Sequence, residues 1–195
     1  IEKVNLPLFP LSILPLPKEQ IPLHIFEPRY KQLIDDVAVG GKKFGIYYSH
    51  GLNKDQLGST VKLETIVKKY LDGALDIIVS CSENFLLTEY HEQMKSKLYP
   101  GGIIAPLDIQ DHKINSKYLE ASFNEFLLLK GEQAVNRDFD IRDIAVALQL
   151  SVSERLKYLK LIDKKKRETF LQERLNFKKF LLKQEAKIEN NLFLN

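Results

Sequence analysis

One cysteine, one methionine and no tryptophan occur in the 195 residues. A single thiol, Cys81, rules out an internal disulfide, and it supplies one zinc ligand where about four are needed. A reducing compartment is therefore expected, and we read the chain as a soluble, cytoplasmic protein. No stretch approaches the roughly 18 consecutive apolar residues of a membrane helix, and the N-terminus lacks the basic-then-apolar layout of a signal peptide. Because the sequence starts at Ile1 rather than Met, processing or trimming stays open. Also missing is the G-x-x-x-x-G-K-[ST] run that cradles phosphates, since Gly40-Gly41-Lys42-Lys43 has neither its spacing nor its hydroxyl. The four histidines, His24, His50, His91 and His112, include no i,i+4 pair. We assign no metal ligand, no cofactor site and no catalytic residue. A pair such as Ser12 and Lys18 carries no weight, because a nucleophile needs positioned activation and an oxyanion site.

What is present is the composition of a folded protein: 44% hydrophobic, 28% charged, 8 Pro and 9 Gly. A chain of this length can bury a substantial core. Charge is unevenly spread. Residues 151–190 hold 12 basic and 6 acidic side chains, leaving 17 and 20 for the rest. A basic end suits nucleic acid or an acidic partner, but it is more often the solvated face of a long helix.

The first half reads as strands. Leu6 to Leu11 and Gln20 to Phe26 are short apolar runs broken by prolines, which predicts edge strands or strand starts. They flank a Pro-rich loop, Leu14 to Glu19. Glu27-Pro28-Arg29-Tyr30 opens a helix, with proline at the first helical position. Tyr30, Leu33, Ile34 and Val37 repeat at helical spacing until Gly40-Gly41. Val61, Leu63, Thr65 and Val67 alternate with Lys62, Glu64, Ile66 and Lys68, and Leu75, Ile77, Val79 and Cys81 with Asp76, Ile78 and Ser80. Between the two runs, Asp72-Gly73 suits a type I′ turn, so a hairpin with one buried face is expected. Phe44–Tyr48, Phe85–Tyr90 and Gly102–Leu107 supply further strands, which makes a twisted sheet or small barrel.

From Ile114 onward the apolar period becomes helical. Leu119, Phe123, Phe126 and Leu127 form one stripe, and Ile141, Ile144, Ala145 and Leu148 a second. Ser151 and Glu154 have capping-box spacing at the start of a third helix. A fourth, from about Asp163 to Asn190, is expected to pack through Phe170, Leu171, Leu175, Leu181, Leu182 and Ile188. The fold class is α+β, with a β-domain over 1–110 and a helical bundle over 111–195.

Leu6-Pro7-Leu8-Phe9-Pro10-Leu11, then Ile21-Pro22-Leu23-His24-Ile25-Phe26-Glu27-Pro28-Arg29-Tyr30 and Leu33-Ile34, resembles the opening signature of the Lon protease N-terminal substrate-binding domain. Leu57-Gly58-Ser59-Thr60-Val61, the Asp72-Gly73 hairpin, Ile141-Arg142-Asp143-Ile144-Ala145 and Ser153 to Ile162 extend the resemblance over nearly the whole chain. It implies a PUA-like β-domain followed by a helical bundle that holds protein substrates or partners. The ATPase and Ser-Lys peptidase modules of complete Lon proteases cannot fit in the residues present. The resemblance therefore implies a stand-alone, non-catalytic module that binds protein or unfolded polypeptide and works with a separate protease or ATPase if with any.

Two surfaces compete for the binding role. Leu14 and Leu16, on a proline-stiffened loop, together with Ile21 and Pro22, form the candidate polypeptide surface, because exposed apolar patches mark interaction sites. The alternative is nucleic acid, bound by the helix-turn-helix cadence of residues 140–162 and the basic helix after it, or RNA bound on the PUA-like surface. Glu27, Pro28, Arg29 and Tyr30 are read as structural, since acidic groups at a helix N-terminus are stabilising in themselves. The oligomeric state is left open.

Overall fold

The computed structural model describes residues 3–107, 111–134 and 138–192, the last four by their backbone path alone. It divides into two compact units, Ile1–Asp108 and Ile109–Asn195. The boundary expected at residue 110 lies outside the described residues. Strands end at Pro106 and the next helix starts at Lys117, so the α+β order expected from the sequence holds.

The first unit contains β1 (Val4–Leu11), β2 (Gln20–Ile25), α1 (Pro28–Gly40), β3 (Lys43–Tyr48), β4 (Leu57–Lys69), β5 (Leu75–His91) and β6 (Gly101–Pro106). The sheet order is β2-β5-β4-β3-β1-β6, and β5 also pairs with β6. Five strands thus close into a ring of pairings, with β2 added outside on β5. Phe85–Tyr90, expected as a separate strand, is continuous with Leu75–Cys81, because Glu83 and Asn84 between them stay paired to Thr60 and Ser59 of β4. The long β5 serves β2 with its first part and β6 with its last.

Closure overturns the expectation that the prolines of the first run mark a sheet edge. β1 lies inside the ring, but Val4–Pro7 pair with β6 while Leu8–Leu11 pair with β3. Each half therefore meets one neighbour, which leaves room for Pro7 and Pro10, residues that cannot donate to a ladder. The hairpin also departs from the two-residue type I′ form. Tyr70 donates to the Ala74 carbonyl, Gly73 donates to the Tyr70 carbonyl, and Gly73 alone in the loop has positive φ, at 80°. This is the pattern of a three-residue loop in which a turn is followed by one left-handed residue. In β4 the predicted alternation fails beyond Leu63. Register shifts at Leu63/Thr65 and Ile66/Lys68 turn Ile66 inward and leave Val67 62% exposed.

The helix α1 starts with Pro28 at its first turn and stops at Gly41, whose φ of 58° provides the left-handed cap. Its buried Tyr30, Leu33, Ile34 and Val37 join Phe44, Ile46, Val61, Ile77 and Val79 in one core cluster. Leu6, Leu8, Phe85, Leu87 and Ile104 form a second. Gly58 is required here, because a Cβ at that position would lie 2.2 Å from the Phe85 ring.

The second unit contains α2 (Lys117–Leu129), α3 (Ile141–Ala147), α4 (Val152–Lys160) and α5 (Lys164–Leu192). All four residues of the first expected stripe and all four of the second are buried. The capping box forms as expected: the Ser151 side chain accepts from Glu154 N–H, and Glu154 accepts from Ser151 N–H at 2.8 Å. A reciprocal box also closes the start of α3 between Asp140 and Asp143.

On α5 the expected stripe is buried only in part, and a second apolar set that includes Phe177 and Phe180 lies outside it. Leu171 and Leu175 are fully buried, whereas Phe177, Phe180, Leu181 and Ile188 are 53%, 57%, 38% and 60% exposed. Residues 171 and 177 are six apart, which places them roughly a third of a turn from each other on a helix of about 3.6 residues per turn. Leu175→Ala should therefore cost about 2–5 kcal/mol in chemical denaturation, and Phe180→Ala should stay within about 0.5 kcal/mol. Equal costs would show that the second set is covered.

Glu125 of α2 accepts from Lys179 and Lys183 of α5, each at 2.8 Å. These bonds, Lys179 first, hold its carboxyl down to about 2 from the model-compound value of 4.5. A depressed folded-state pKa stabilises at pH values above 4.5, and that contribution disappears as pH falls towards 2. Solvent screening limits it to about 1 kcal/mol. Stability followed between pH 6 and 2 should fall less steeply in Glu125→Gln than in the parent.

Candidate functional site

The proline-stiffened loop turns inward, against expectation. Leu14 and Leu16 are each 1% exposed. The cause lies in the backbone. The carbonyl of Pro15 accepts from Ser59 Oγ at 2.7 Å and Asn84 Nδ2 at 2.8 Å, and Cys81 Sγ lies 3.7 Å away. Ser59 and Asn84 are buried on β4 and β5, so the loop is drawn onto the sheet. Glu19 closes it from the other side, accepting from Leu16 N–H at 2.8 Å while its own N–H donates to the Leu16 carbonyl. Burial pushes the Cys81 thiol up to about 12, which makes it an unreactive packing group. The exposed binding loop expected from Leu14 and Leu16 is thus corrected to a buried anchor, while Ile21 is partly buried and Pro22 exposed.

The Glu27-Pro28-Arg29-Tyr30 segment is satisfied within itself. Arg29 Nη2 meets Glu27 Oε2 at 2.8 Å, and the guanidinium lies 4.6 Å from the Tyr30 ring centroid. Tyr30 is buried against Phe9 with centroids 4.0 Å apart, and that burial raises its phenol pKa. The histidines are separately engaged: His24 with Asp76, His50 with Leu52 N–H, and His91 with Glu89. Among the described residues no group of three or more His, Cys, Asp or Glu side chains gathers to hold a metal. Ser12 and Lys18 are exposed loop residues.

A different surface emerges on the outer face of β2. Pro22, His24 and the following Phe26 alternate outward, and Phe26 is 62% exposed. His24 Nδ1 lies 2.6 Å from Asp76 Oδ1, and Tyr70 donates to Asp76 Oδ2 at 2.6 Å. Those bonds, from Tyr70 first and then His24, hold the Asp76 carboxyl below its usual range, and the same carboxylate raises the Tyr70 phenol. The His24 ring stacks beside Phe26 at 6.0 Å and meets the Tyr70 ring edge-on at 5.7 Å. Leu71, at the hairpin tip, is fully exposed. An Asp76-centred network thus steadies His24 and Tyr70, with Phe26 beside the His24 ring, while Phe26 and Leu71 remain open to solvent.

Pro22 also settles how this edge can be used. Cys81 N–H donates to the Glu19 carbonyl, and the Ile21↔Val79 and Leu23↔Ile77 register continues from that pair. Glu19, Ile21, Leu23 and Ile25 therefore bond to β5, and the nitrogen of Pro22 points away from the sheet. The free edge lacks a donor at its centre, which blunts strand addition. The sequence singled out Pro22 but missed Phe26, Tyr70 and Leu71. Tyr70-Leu71 directly before a turn normally built from polar residues was the available signal.

In the second unit, part of the basic surface that the nucleic-acid alternative relies on is engaged internally, while Lys165 and Lys166 stay exposed. Leu156, Tyr158 and Leu159 of α4 are buried, and Glu154 accepts from Arg174 at 3.3 Å. Along α5, Lys164 pairs with Asp111, and Lys179 and Lys183 pair with Glu125. Arg167 is 3% exposed and its Nε donates to the Leu161 carbonyl.

A closed ring of strands followed in the chain by helices, with no metal cluster among the described residues, defines a class of α+β module already seen in solved structures. One is the crystal structure of a Lon N-terminal domain protein from Xanthomonas campestris, similar with a TM-score of 0.61 and 24% identity over 82% of this chain and 92% of that one. Another is the N-terminal domain of the Mycobacterium avium complex Lon protease, with a TM-score of 0.62 and 14% identity over 89% and 98%. At these identities the likeness shows the fold. The family model of the ATP-dependent protease La (LON) substrate-binding domain matches residues 5–190, and the chain belongs to that family. No curated protein matches it.

Replacing Leu16 by Ser should destabilise the fold by about 2 kcal/mol or more, by removing a buried apolar side chain and leaving a hydroxyl in its place. Denaturant melts of Leu16→Ser and Pro22→Ser check this, with the exposed Pro22 expected to change stability within about 0.5 kcal/mol. Similar melts for the two would place Leu16 at the surface.

Proposed function

We propose that this chain is a non-catalytic polypeptide-holding module whose contact surface is the outer face of β2 together with the β4–β5 hairpin. The observation that carries the reading is the exposed set Phe26, Tyr70 and Leu71, of which Tyr70 bonds to Asp76 and Phe26 stacks beside the Asp76-paired His24. A monomeric surface gains nothing from exposing such residues together, whereas hydrophobic segments of unfolded chains bury them on contact. Rings fixed beforehand also lose less freedom on binding than mobile ones. Pro22, on the same face of the strand, extends the surface towards the Pro15 loop, whereas Ile21 faces the core. Family membership supports a substrate-binding role, and a separate protease or ATPase would act on what is held.

Binding of a reduced, carboxymethylated model protein should weaken about tenfold or more in Phe26→Ser/Leu71→Ser, as expected for loss of apolar anchors. It should vary little with salt between low and moderate ionic strength. Thermal melting of the variant should match the parent. A random oligonucleotide, titrated in parallel, should bind weakly if at all. Unchanged polypeptide binding in the folded variant refutes the surface, and salt-sensitive binding of the oligonucleotide alone favours the nucleic-acid reading.

A further inference from the structure

The β-unit carries a concavity of about 320 Å3 that shares no residue with the β2 face. Its apolar lining comes from Pro7 of β1, Val37 of α1 and Met94 of the loop before β6, and three lysines, Lys42, Lys95 and Lys97, stand around it. One of these charges is already matched. Lys97 Nζ donates to Asp36 Oδ2 at 2.7 Å, and the Tyr99 hydroxyl donates to the same oxygen at 2.7 Å. These bonds, Lys97 first, keep the Asp36 carboxyl below its ordinary range. Lys42 also acts on Asp36 through its charge, but neither it nor Lys95 forms a close ion pair among the described residues, so three lysines face one carboxylate and positive charge is in excess at the rim.

The wall is fixed before any ligand arrives. Met94 N–H donates to the Tyr99 carbonyl, Lys97 N–H donates to the Met94 carbonyl, and Leu98 N–H donates to Gln32 Oε1 of α1 at 2.7 Å. A preformed, partly apolar cavity with a few convergent charges is the usual form of a small-ligand site. The charge calls for an anion, and the apolar lining calls for a hydrocarbon group attached to it. The apolar side chains of the lining find no partner in a bare phosphate, so an organic carboxylate suits the pocket better than inorganic phosphate.

We propose that this pocket binds a carboxylate carried on a small apolar group, and that its source is the free C-terminus of a polypeptide. The assignment of a chain end rests on the polypeptide-holding reading; the carboxylate site does not. In such a complex Lys42 and Lys95 hold the carboxylate, and the terminal side chain lies against Pro7, Val37 and Met94.

N-acetyl-leucine, N-acetyl-leucinamide and inorganic phosphate, titrated separately into isotopically labelled full chain, separate the possibilities by amide shifts at Val37, Met94 and Tyr99. N-acetyl-leucine should bind about tenfold more tightly than its amide, the factor expected for one charge-assisted interaction. That preference should vanish in Lys42→Gln/Lys95→Gln and persist in Lys42→Arg/Lys95→Arg, with thermal melting unchanged in both. Equal binding of acid and amide, a preference that survives the Gln variant, or phosphate binding more tightly than N-acetyl-leucine would each overturn the site. Two decapeptides differing only in a free or amidated C-terminus then test the source. A preference for the free terminus supports the chain end; equal affinities alongside an intact N-acetyl-leucine preference overturn that part and leave a free small carboxylic acid as the ligand. Loss of polypeptide binding at the β2 face leaves the N-acetyl-leucine titration unaffected, so the two readings fail separately.

Discussion

The carbonyl oxygen of Pro15 sits in the interior of the β-unit and must be satisfied there. An unpaired buried carbonyl costs about as much as a lost hydrogen bond. Ser59 and Asn84 supply the donors from neighbouring strands. Much else in the β-unit follows from this contact. It pins the β1–β2 connection onto β4 and β5, and it helps to turn Leu14 and Leu16 inward. Next to it, Cys81 N–H donates to the Glu19 carbonyl and the Cys81 carbonyl accepts from Lys18 N–H, just before β2, setting the register of that strand. The register in turn decides that Pro22, His24 and Phe26 face outward.

What remains exposed after that closure is therefore selective. The β2 face keeps aromatic groups at the surface but steadies them through Asp76, which accepts from Tyr70 and pairs with His24. The edge beside it could template another strand, yet the proline nitrogen removes its central donor. Side-chain contact is favoured over backbone pairing, which would suit the polypeptide contact proposed for this face. The helical unit makes the opposite use of charge. Several basic side chains of α5 are turned towards carboxylates of its own unit, so the basic count of this region overstates the positive field it offers to a partner.

Local signals were legible in the sequence wherever one residue type has one physical use. Proline at the first turn of α1, Gly41 as its left-handed cap and Ser151 with Glu154 at the start of α4 all lie where short-range chemistry places them. Periodicity identified the buried faces of α1, α2 and α3, because a face repeating at 3.6 residues has one direction in which to turn. The order of strands followed by helices was equally fixed by pattern. It failed where tertiary contacts add a second constraint. Register shifts in β4 exchanged Val67 for Ile66, and the expected stripe of α5 proved to be buried only in part.

By itself, then, the sequence determined most of the elements, the class of fold, the family resemblance and the lack of a phosphate-binding loop, since each depends on residues near one another in the chain. Only the tertiary structure decided which apolar residues are available to a partner. Leu14 and Leu16 have the local character of an exposed, proline-stiffened loop, but Ser59 and Asn84, more than 40 residues further along the chain, claim the carbonyl between them. Phe26, Tyr70 and Leu71 have the local character of core residues, yet strand order and register leave them in solvent. Burial is a property of the three-dimensional neighbourhood, and no spacing within one segment encodes which distant donor will reach it.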